Sequence, residues 1–453
     1  MQSSLPTDQA GDSPVECDVL VIGGGPAGST VAALLAQKGR HVVLLDKDRH
    51  PRFHIGESLL PANLPLFERL GVADEMRAIG IKKRAAEFMS PWHEHKQQFL
   101  FADAWDKTMP HAYQVRRSEF DQVLLCRATQ LGAHVREGCK VTAVDLEATP
   151  ERARAQARCD DGRTLAYAPR FVVDASGRDT FLASRFQIKH KNPQHNSVAV
   201  YGHFKNVRRN EGEDEGNIII FWFEHGWFWF IPLQDGVTSI GMVTWPYFMK
   251  TRAERSLQEF LLDGIGQCPP LAERMAAAHL TDVIEATGNY SYSCERNHGR
   301  NYVLLGDAYA FIDPVFSSGV MMAMQGSFDA ADAIDSWLDQ GAEPALQAAA
   351  LRKLDARLRH GPRTFSWLIY RMTNPVMRDL FMGPRNPFRV KEALLSLLAG
   401  DIYGRTPIWG SLRIFKLIYY ASSAFHFRRS LAAWRKRRIN IRPVEEAGMS
   451  VGR

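Results

Sequence analysis

The stretch that decides the fold is V-L-V-I-G-G-G-P-A-G-S-T-V-A-A-L-L-A-Q at residues 19–37. Its first four residues, 19–22, are apolar and typical of a buried parallel strand, and a helix-like run follows the glycines. Gly23, Gly25 and Gly28 fit the pattern G-x-G-x-x-G. In this pattern the first glycine makes a tight turn, the second admits a pyrophosphate, and the third lets helix and strand pack closely. The spacing therefore predicts a dinucleotide-binding turn.

A second strand and an acidic residue complete this unit. Residues 41–45 predict a strand that ends at Asp46, eighteen residues after Gly28. A carboxylate at this place suits a hydrogen bond from a ribose hydroxyl. The helix predicted from Gly28 to Gln37 would turn its N-terminal N–H groups toward the phosphates, and we expect Ala27, just before it, to contact the cofactor as well. We therefore predict an α/β fold with a Rossmann-like nucleotide domain.

Two later positions favour FAD over NAD as the dinucleotide. Asp307 follows a predicted strand at residues 302–305, where a carboxylate can reach a ribityl hydroxyl. Arg117 can pair with the pyrophosphate through two parallel hydrogen bonds. We therefore predict that FAD is the cofactor and that Asp307 and Arg117 contact it.

The middle of the chain predicts an antiparallel sheet, because four stretches rich in aromatic and β-branched residues alternate with turn sequences. These stretches are residues 197–205, 217–223, 227–233 and 237–245. Beyond Gly319 the pattern is helical to the end. The predicted organisation is a FAD-binding domain at 17–185 with a substrate-side segment at about 80–112, an inserted antiparallel β-sheet substrate domain at 186–294, the second part of the FAD-binding domain at 295–345, and a helical, basic C-terminal region at 346–453.

Four stretches make the sequence resemble the flavin-dependent halogenases, a branch of the FAD-dependent monooxygenase superfamily. GGGPAGS at 23–29 and PRFHIGES at 51–58 look like stretches that relatives in the superfamily also carry. WFWFIP at 227–232 matches the family signature W-x-W-x-I-P, and FIDPVFSSG at 311–319 matches F-x-x-P-x-x-S-x-G. The resemblance covers about residues 17–345. It implies a GR2-type FAD fold and the use of reduced FAD, O2 and halide to form hypohalous acid.

The resemblance also implies where the halide and the signature residues lie. In the family the halide sits beside the flavin at the turn before a helix, here at the backbone of Ser318 and Gly319. Pro314 and Gly319 would border the flavin itself. Side chains that alternate along a strand share one face, and such aromatic pairs are usually core. We expect packing between the flavin and substrate compartments, and no chemical role, for Trp227, Trp229 and Pro232.

A candidate catalytic lysine follows from the same resemblance. Family members that act on phenols and pyrroles carry an essential lysine in a stretch like G-F-x-x-K-x-G-A-x-F. Counting back from Phe88 in the corresponding stretch selects Lys83. The spacing from Gly80 is one residue short, so Lys82 stays an alternative. An ammonium can hold hypohalous acid by a hydrogen bond, a neutral amine can form an N–X bond, and burial favours the neutral amine.

One departure from the family pattern narrows the substrate. Tryptophan halogenases place a glutamate just before the serine of F-x-x-P-x-x-S-x-G, and this chain has Phe316 there. The departure favours an electron-rich phenolic or pyrrolic ring and disfavours free tryptophan. A general base near Lys83 is then unnecessary or supplied elsewhere. Glu57 is a candidate for that base, with a structural role in the flavin loop as its alternative.

Partners and rival functions follow from what else the sequence contains. We find no second nucleotide motif, so we expect reduced FAD to come from a separate flavin reductase. An aromatic hydroxylase is the main alternative. A geranylgeranyl-reductase-like flavoprotein and a flavin-bound scaffold of a pigment assembly are further alternatives, and the intact F-x-x-P-x-x-S-x-G motif argues against these two.

The net charge of +6 belongs to the C-terminal region. Between Arg385 and Arg442 there are thirteen Lys and Arg against two acidic residues, so the rest of the chain is net negative. This region has three interpretations: a helix with a solvated basic face, a docking surface for an acidic carrier protein that bears the substrate, or peripheral contact with anionic lipid. No recognition motif for nucleic acid accompanies the charge.

The remaining features predict a cytoplasmic protein. The six cysteines are scattered without a C-x-x-C pair, so we expect reduced thiols, no redox pair and no metal site. Residues 1–16 are polar, which predicts a disordered lead-in rather than a signal peptide. No run of eighteen apolar residues occurs, so no membrane span is predicted.

Overall fold

The computed structural model describes residues 13–193, 195–288, 291–339 and 343–441. The strands are β1 (Val15–Ile22), β2 (Val42–Leu45), β3 (Gly80–Lys83), β4 (Ala85–Met89), β5 (Gln97–Leu100), β6 (Ala112–Val115), β7 (His134–Arg136), β8 (Cys139–Asp145), β9 (Arg154–Cys159), β10 (Thr164–Asp174), β11 (Lys189–Lys191), β12 (Val198–Lys205), β13 (Ile218–Phe223), β14 (Gly226–Pro232), β15 (Thr238–Thr244), β16 (His279–Leu280), β17 (Glu285–Gly288), β18 (Tyr292–Cys294), β19 (Tyr302–Leu304) and β20 (Ala310–Phe311).

Helices fill most of the remaining chain and dominate after residue 318. They are α1 (Pro26–Gln37), α2 (Leu64–Leu70), α3 (Ala73–Ile79), α4 (Arg117–Gln130), α5 (Phe181–Arg185), α6 (Pro246–Lys250), α7 (Leu257–Gly266), α8 (Pro269–Arg274), α9 (Gly319–Asp339), α10 (Pro344–Ile369), α11 (Pro375–Met382), α12 (Val390–Ala399), α13 (Ile408–Phe425) and α14 (Phe427–Asn440). None of the described helices is long and apolar enough to cross a membrane.

A seven-stranded sheet carries the glycine turn. Its order is β7-β2-β1-β10-β9-β8, with β19 also paired to β10, and β1, β2, β7 and β19 run parallel to their partners. Asp174 at the end of β10 pairs with Ile22 and with Leu304, so the strands end level with one another. Because parallel strands end at one edge, the glycine turn, Asp46 and the segment with Asp307 meet there.

An eight-stranded, mostly antiparallel sheet forms the second layer of structure. Its order is β16-β12-β15-β14-β13-β4-β5, with β17 also paired to β12. The predicted turns at 224–226 and 234–236 do join β13 to β14 and β14 to β15 as hairpins. Strands β4 and β5 bring the segment near residues 80–112 into this sheet, with β4 parallel to β13. These elements confirm the predicted mixed α/β class, while the domain boundaries stay predictions.

The eight-stranded sheet separates two apolar clusters. One face, with Trp222 and Trp229, packs against the C-terminal helices α10 to α13. The other face, with Phe228 and Met242, packs against α7 and α8. A third cluster lies between the seven-stranded sheet and helices α1, α4 and α9. Burial on both faces explains why β13 and β14 are apolar at almost every position instead of alternating.

Two expectations about the chain were wrong. Strand β1 begins at Val15, so the last two residues of the expected lead-in are paired strand, and residues 1–12 lie outside the described residues. Cys139 and Cys159 face each other across β8 and β9 and form a disulfide, so not all six thiols are reduced. The register of the two strands brings this pair together. The two cysteines have no C-x-x-C spacing from which the disulfide could be predicted. Cys17, Cys126, Cys268 and Cys294 are free.

Candidate active site

One cavity of about 1220 Å³ opens at the level edge of the parallel strands and extends to the tryptophan face of the eight-stranded sheet. A large concave site where parallel strands end is the usual place for a ligand in such sheets. Most of the residues predicted to contact the cofactor border this cavity: Gly23, Gly25, Ala27, Asp46, Arg117, Asp307, Pro314 and Gly319.

The glycine turn has the geometry that its spacing predicts. Gly23 has a φ of +102°, and a Cβ there would lie 2.4 Å from the carbonyl oxygen of Ala175. Gly28 does not border the cavity; a Cβ there would lie 1.8 Å from the carbonyl oxygen of Gly23. Beside Gly25 the nearest atom to a built Cβ is 3.8 Å away. The first and third glycines therefore build the turn, and Gly25 leaves open space for a ligand.

Asp46 holds the turn in place from the end of β2. Its carboxylate accepts hydrogen bonds from the backbone N–H groups of Gly24 at 2.5 Å and of Asp48 at 2.8 Å. The guanidinium of Arg52 lies 3.9 Å from the same carboxylate. Asp46 is buried and borders the cavity, so it can fix the turn and also meet a ribose there.

Arg117 is the first residue of α4 and is buried beside the cavity. Its Nε and Nη2 donate to the two carboxylate oxygens of Asp121 at 2.8 and 3.0 Å, and Nη1 donates to the carbonyl of Ile55 at 3.1 Å. Asp121 therefore accepts the two parallel hydrogen bonds that Arg117 was predicted to donate to a pyrophosphate. The spacing of four residues along one helix was a readable signal for this partner.

Asp307 follows β19 and borders the cavity at the same sheet edge as the glycine turn. Burial raises the pKa of Asp307 to about 6, and the positive charges of Arg178 and Arg117 act against this shift. A carboxyl group with this pKa can accept or donate a hydrogen bond near neutral pH, as contact with a hydroxyl requires.

The turn before α9 is the predicted halide site. Ser317 has a φ of +56°, and its N–H donates to the carbonyl of Pro314 at 2.9 Å. Helix α9 begins at Gly319, and the N–H groups of a first helical turn have no acceptor within the helix. Gly319 and Ser317 border the cavity, whereas Ser318 is buried behind it. The turn that the sequence selected therefore borders the cavity, through Ser317 and Gly319 rather than through Ser318.

Tryptophans form the wall opposite the glycine turn. Trp227 and Trp229 lie on the same face of β14, with ring centroids 6.1 Å apart, and both border the cavity. The indole N–H of Trp229 donates to Ser239 Oγ at 3.1 Å, which leaves its ring free to exclude water. Pro232 is buried at the end of β14, opposite Thr238.

Lys83 is an unusual charged residue, because it is buried close to the cavity. It is 1% exposed on β3, and its Nζ donates to Ser58 Oγ at 2.9 Å and to the carbonyl of Leu59 at 2.8 Å. Burial lowers the pKa of Lys83 from its ordinary value of 10.5 to about 7. Lys82, the alternative, is exposed. Ser58 borders the cavity and Lys83 lies directly behind it.

The structure adds a buried acid and a histidine to this wall. Glu57 borders the cavity, is 2% exposed, and has its Oε1 2.8 Å from Nε2 of His203. Glu57 is the candidate base that the sequence offers, whereas His203 was not predicted. The signal was the alternation along β12, because Ala199 and Tyr201 border the cavity and His203 is next on the same face.

Phe316, which occupies the position of the glutamate in tryptophan halogenases, is also buried here. Its ring stacks on Phe381 of α11, with the ring centroids 6.5 Å apart. Both rings belong to the apolar cluster that includes Phe101, whose centroid is 5.4 Å from the Lys83 amine. No carboxylate is therefore supplied to Lys83 from this position.

Comparisons with known proteins agree with these features. A family model described as FAD binding domain matches residues 16–356. The chain is 33% identical over 327 residues to a tryptophan 2-halogenase of Chondromyces crocatus, covering 71% of this chain and 62% of that protein. It is 28% identical over 415 residues to a 1H-pyrrole-2-carbonyl-(peptidyl-carrier protein) chlorinase of Pseudomonas fluorescens, covering 85% and 89%. Among solved structures, it matches the myxobacterial chondrochloren halogenase CndH with a TM-score of 0.74 and 33% identity, covering 88% and 93%.

Proposed function

Because the chain belongs to the flavin-dependent halogenases, we propose that it uses reduced FAD, O2 and a halide to halogenate an electron-rich aromatic ring. The observation that carries this proposal is Lys83, a buried amine directly behind the wall of a cavity that fits FAD. Without a use for that amine, burying a lysine among apolar side chains is only a cost to stability.

The cavity fits FAD in the chemistry of its border as well as in size. The open backbone at Gly25 would face the pyrophosphate, Asp46 the ribose and Asp307 the ribityl chain. Reduced FAD bound there would supply, together with O2, the oxidation of halide to hypohalous acid. The halide would lie at the backbone of Ser318 and Gly319, where the N-terminus of α9 favours an anion.

Lys83 would take up the hypohalous acid and present it to the ring. With a pKa of about 7, the amine is present in both protonation states near neutral pH. The ammonium can hold hypohalous acid by a hydrogen bond, and the neutral amine can form an N–X bond. Trp227 and Trp229 line the cavity and would exclude water from it, which limits loss of the oxidant.

The proposed substrate is a phenolic or pyrrolic ring. Such a ring is electron-rich before it binds, so it needs no carboxylate at position 316 to assist attack on X⁺. The ring of Phe101, whose centroid is 5.4 Å from Lys83 Nζ, makes the neighbourhood of the amine apolar, which suits a flat aromatic substrate. Reduced FAD would come from a separate flavin reductase.

The test supplies FADH2, O2 and bromide and measures free hypobromous acid with a trapping reagent, alongside bromination of a phenol. Lys83→Ala should abolish ring bromination, by about 10²- to 10⁴-fold, while hypobromous acid still forms. Lys82→Ala is the matched control and should behave as the unchanged protein does. Normal bromination by Lys83→Ala would remove Lys83 from the mechanism.

We further propose that the substrate arrives on an acidic carrier protein, which docks on the basic C-terminal surface formed by α13 and α14. Helix α14 buries no residue, and residues 402–441 contain no acid. The exposed cations of this surface are Arg413, Lys416, Arg428, Arg429, Arg435, Lys436 and Arg438. The Pseudomonas relative is named as a chlorinase of a carrier-bound pyrrole, and opposite charges steer such encounters.

Charge reversal tests this docking surface. The triple variant R435E, K436E and R438E should bind an acidic acyl carrier protein at least about tenfold more weakly, with activity on a free phenol unchanged. Reversal at the exposed Lys205 and Lys250 is the control. The surface also exposes apolar rings, such as Phe425 at 84% exposure. Binding to anionic vesicles without binding to the carrier would overturn the carrier proposal in favour of a lipid surface.

A further inference from the structure

A chain of three side chains connects the cavity to solvent through the eight-stranded sheet. Glu57 borders the cavity, and its Oε1 lies 2.8 Å from Nε2 of His203. The other ring nitrogen of His203, Nδ1, lies 3.3 Å from Oδ2 of Asp282. Glu57 and His203 are nearly fully buried, whereas the Asp282 side chain is 61% exposed. This series of side chains therefore has a buried end at Glu57 and a solvent-exposed end at Asp282.

At the cavity end of this series of side chains, one carboxylate oxygen of Glu57 has no hydrogen-bond partner among the described residues. Oε2 of Glu57 is buried, and no described residue donates a hydrogen bond to it. Buried carboxylate oxygens in folded proteins nearly always have a partner, so an unpartnered one calls for a function. The His203 end is held firmly, because both the N–H and the hydroxyl of Thr281 donate to the His203 carbonyl, at 2.9 and 3.0 Å.

The proposed reaction consumes a proton at this place. FADH2, O2, halide and one proton give FAD, hypohalous acid and water. The flavin and the halide each give up two electrons, and these four electrons reduce the two oxygen atoms. Trp227, Trp229 and Ile231 line the cavity on the side of the eight-stranded sheet, and none of these side chains has a titratable group that could carry this proton.

We propose that Glu57 is the acid that delivers this proton, and that His203 and Asp282 recharge it from solvent. Glu57 releases a proton from Oε2 into the cavity, and the imidazolium of His203 passes its Nε2 proton to Oε1, which leaves the ring neutral with its remaining proton on Nδ1. A half-turn of the ring brings the bare nitrogen to Asp282, where it takes up a proton from the surrounding water. Rotation of the carboxyl group then exchanges its two oxygens. This inference rests on the proposed halogenase function.

The charges around His203 are compatible with its holding a proton. Burial lowers the pKa of His203, but the hydrogen bonds to Glu57 and Asp282 outweigh burial and raise it. The positive charge of Arg116 acts against this rise, and Arg116 is itself paired with Asp235. The exposed ring of Phe53 meets the imidazole edge to face, with centroids 5.7 Å apart, and adds no charge.

The first measurement needs no turnover. In the ¹⁵N-histidine-labelled apoprotein, His203 should keep both ring protons to a higher pH than free histidine, and Glu57→Gln should lower that midpoint. The affinity for oxidised FAD should stay within about twofold of the original in Glu57→Gln and His203→Gln, since neither role is structural. An unchanged His203 midpoint in Glu57→Gln would break the proposed chain at its central contact.

The second measurement is hypobromous acid formation from FADH2, O2 and bromide. Glu57→Gln and His203→Gln should lower kcat by about 10²-fold with KM for FADH2 unchanged, and Asp282→Asn should lower it less. Imidazole in the buffer should restore part of the rate to His203→Ala. His225→Gln is the control, because His225 lies at the β13–β14 turn of the same sheet and does not border the cavity.

The outcomes separate this inference from the function it rests on. If the unchanged protein makes no hypobromous acid, the halogenase proposal fails. If the unchanged protein and Glu57→Gln make it at the same rate, only the proton path fails. A loss of kcat matched by an equal loss of FAD affinity would assign Glu57 and His203 a purely structural role.

Discussion

The two walls of the cavity differ in the chemical groups that line them. Along the edge of the seven-stranded sheet the border is glycine backbone with the carboxylates of Asp46 and Asp307. Along the eight-stranded sheet it is mainly aromatic and aliphatic, with Trp227 and Trp229 at its centre. Backbone N–H groups and carboxylates bind a polar dinucleotide, whereas an apolar wall protects a reactive oxidant from water. Changes to the first wall should therefore affect cofactor binding, and changes to the second should affect the fate of the oxidant.

Gly28→Ala should have the largest effect on the first wall. The added Cβ would lie 1.8 Å from the backbone oxygen of Gly23, so helix α1 must move away from β1. We expect a loss of about 3 kcal/mol in the free energy of unfolding and little FAD retained on purification. Urea unfolding and the flavin absorbance of the purified protein measure both effects. A stable Gly28→Ala protein that retains FAD would contradict the role given to this close approach.

Gly25→Ala should separate binding from folding on the same wall. No atom lies closer than 3.8 Å to the added Cβ, so the free energy of unfolding should change by only about 0.5 kcal/mol. The methyl group would occupy the space expected for the pyrophosphate, which should raise the Kd for FAD at least about tenfold. Fluorescence titration with FAD tests this, and an unchanged Kd would move the pyrophosphate away from Gly25.

Lys83→Met tests the second wall through stability, with an effect whose size depends on pH. The pKa of Lys83 is about 7 in the folded protein and near its ordinary 10.5 in the unfolded chain. Between these values only the unfolded state holds the proton, so Lys83 destabilises the fold most below pH 7 and progressively less as pH rises to 10.5. Lys83→Met should therefore melt above the unchanged protein at about pH 6, and the gap should narrow toward about pH 10.

Thermal melting of the two apoproteins at several pH values measures this gap. All other titratable groups are shared, so the difference between the two melting curves reports on position 83. A gap that is constant with pH would mean that the Lys83 amine keeps its ordinary pKa, and the neutral amine would then be scarce at neutral pH.

The first wall was largely predictable from the sequence, because its parts are local. The strand at 19–22, the glycine turn and the helix to Gln37 lie within one short stretch, and Asp46 ends the next strand. Parallel strands then bring Asp307 to the same edge without further information. The error on this side concerned Cys139 and Cys159, whose disulfide depends on the register of β8 and β9.

The second wall was predictable in its signatures and not in its contacts. Family resemblance selected Lys83, but burial, which distinguishes it from Lys82, depends on how β3 lies against the loop with Ser58 and Leu59. The contact between Glu57 and His203 joins residues 146 positions apart in the chain. Such pairings are set by packing between sheets, which no local pattern records.

The central claim is that reduced FAD and O2 oxidise a halide in this cavity, and that the oxidised halogen is then transferred to an aromatic ring. The most direct measurement is mass spectrometry of the product from a phenolic substrate, with FADH2 and O2 supplied, in bromide buffer and in halide-free buffer. We predict a brominated product with the isotope doublet of bromine in the first buffer and no oxygenated product in the second. A hydroxylated ring formed equally well in both buffers would contradict the account and identify an aromatic hydroxylase.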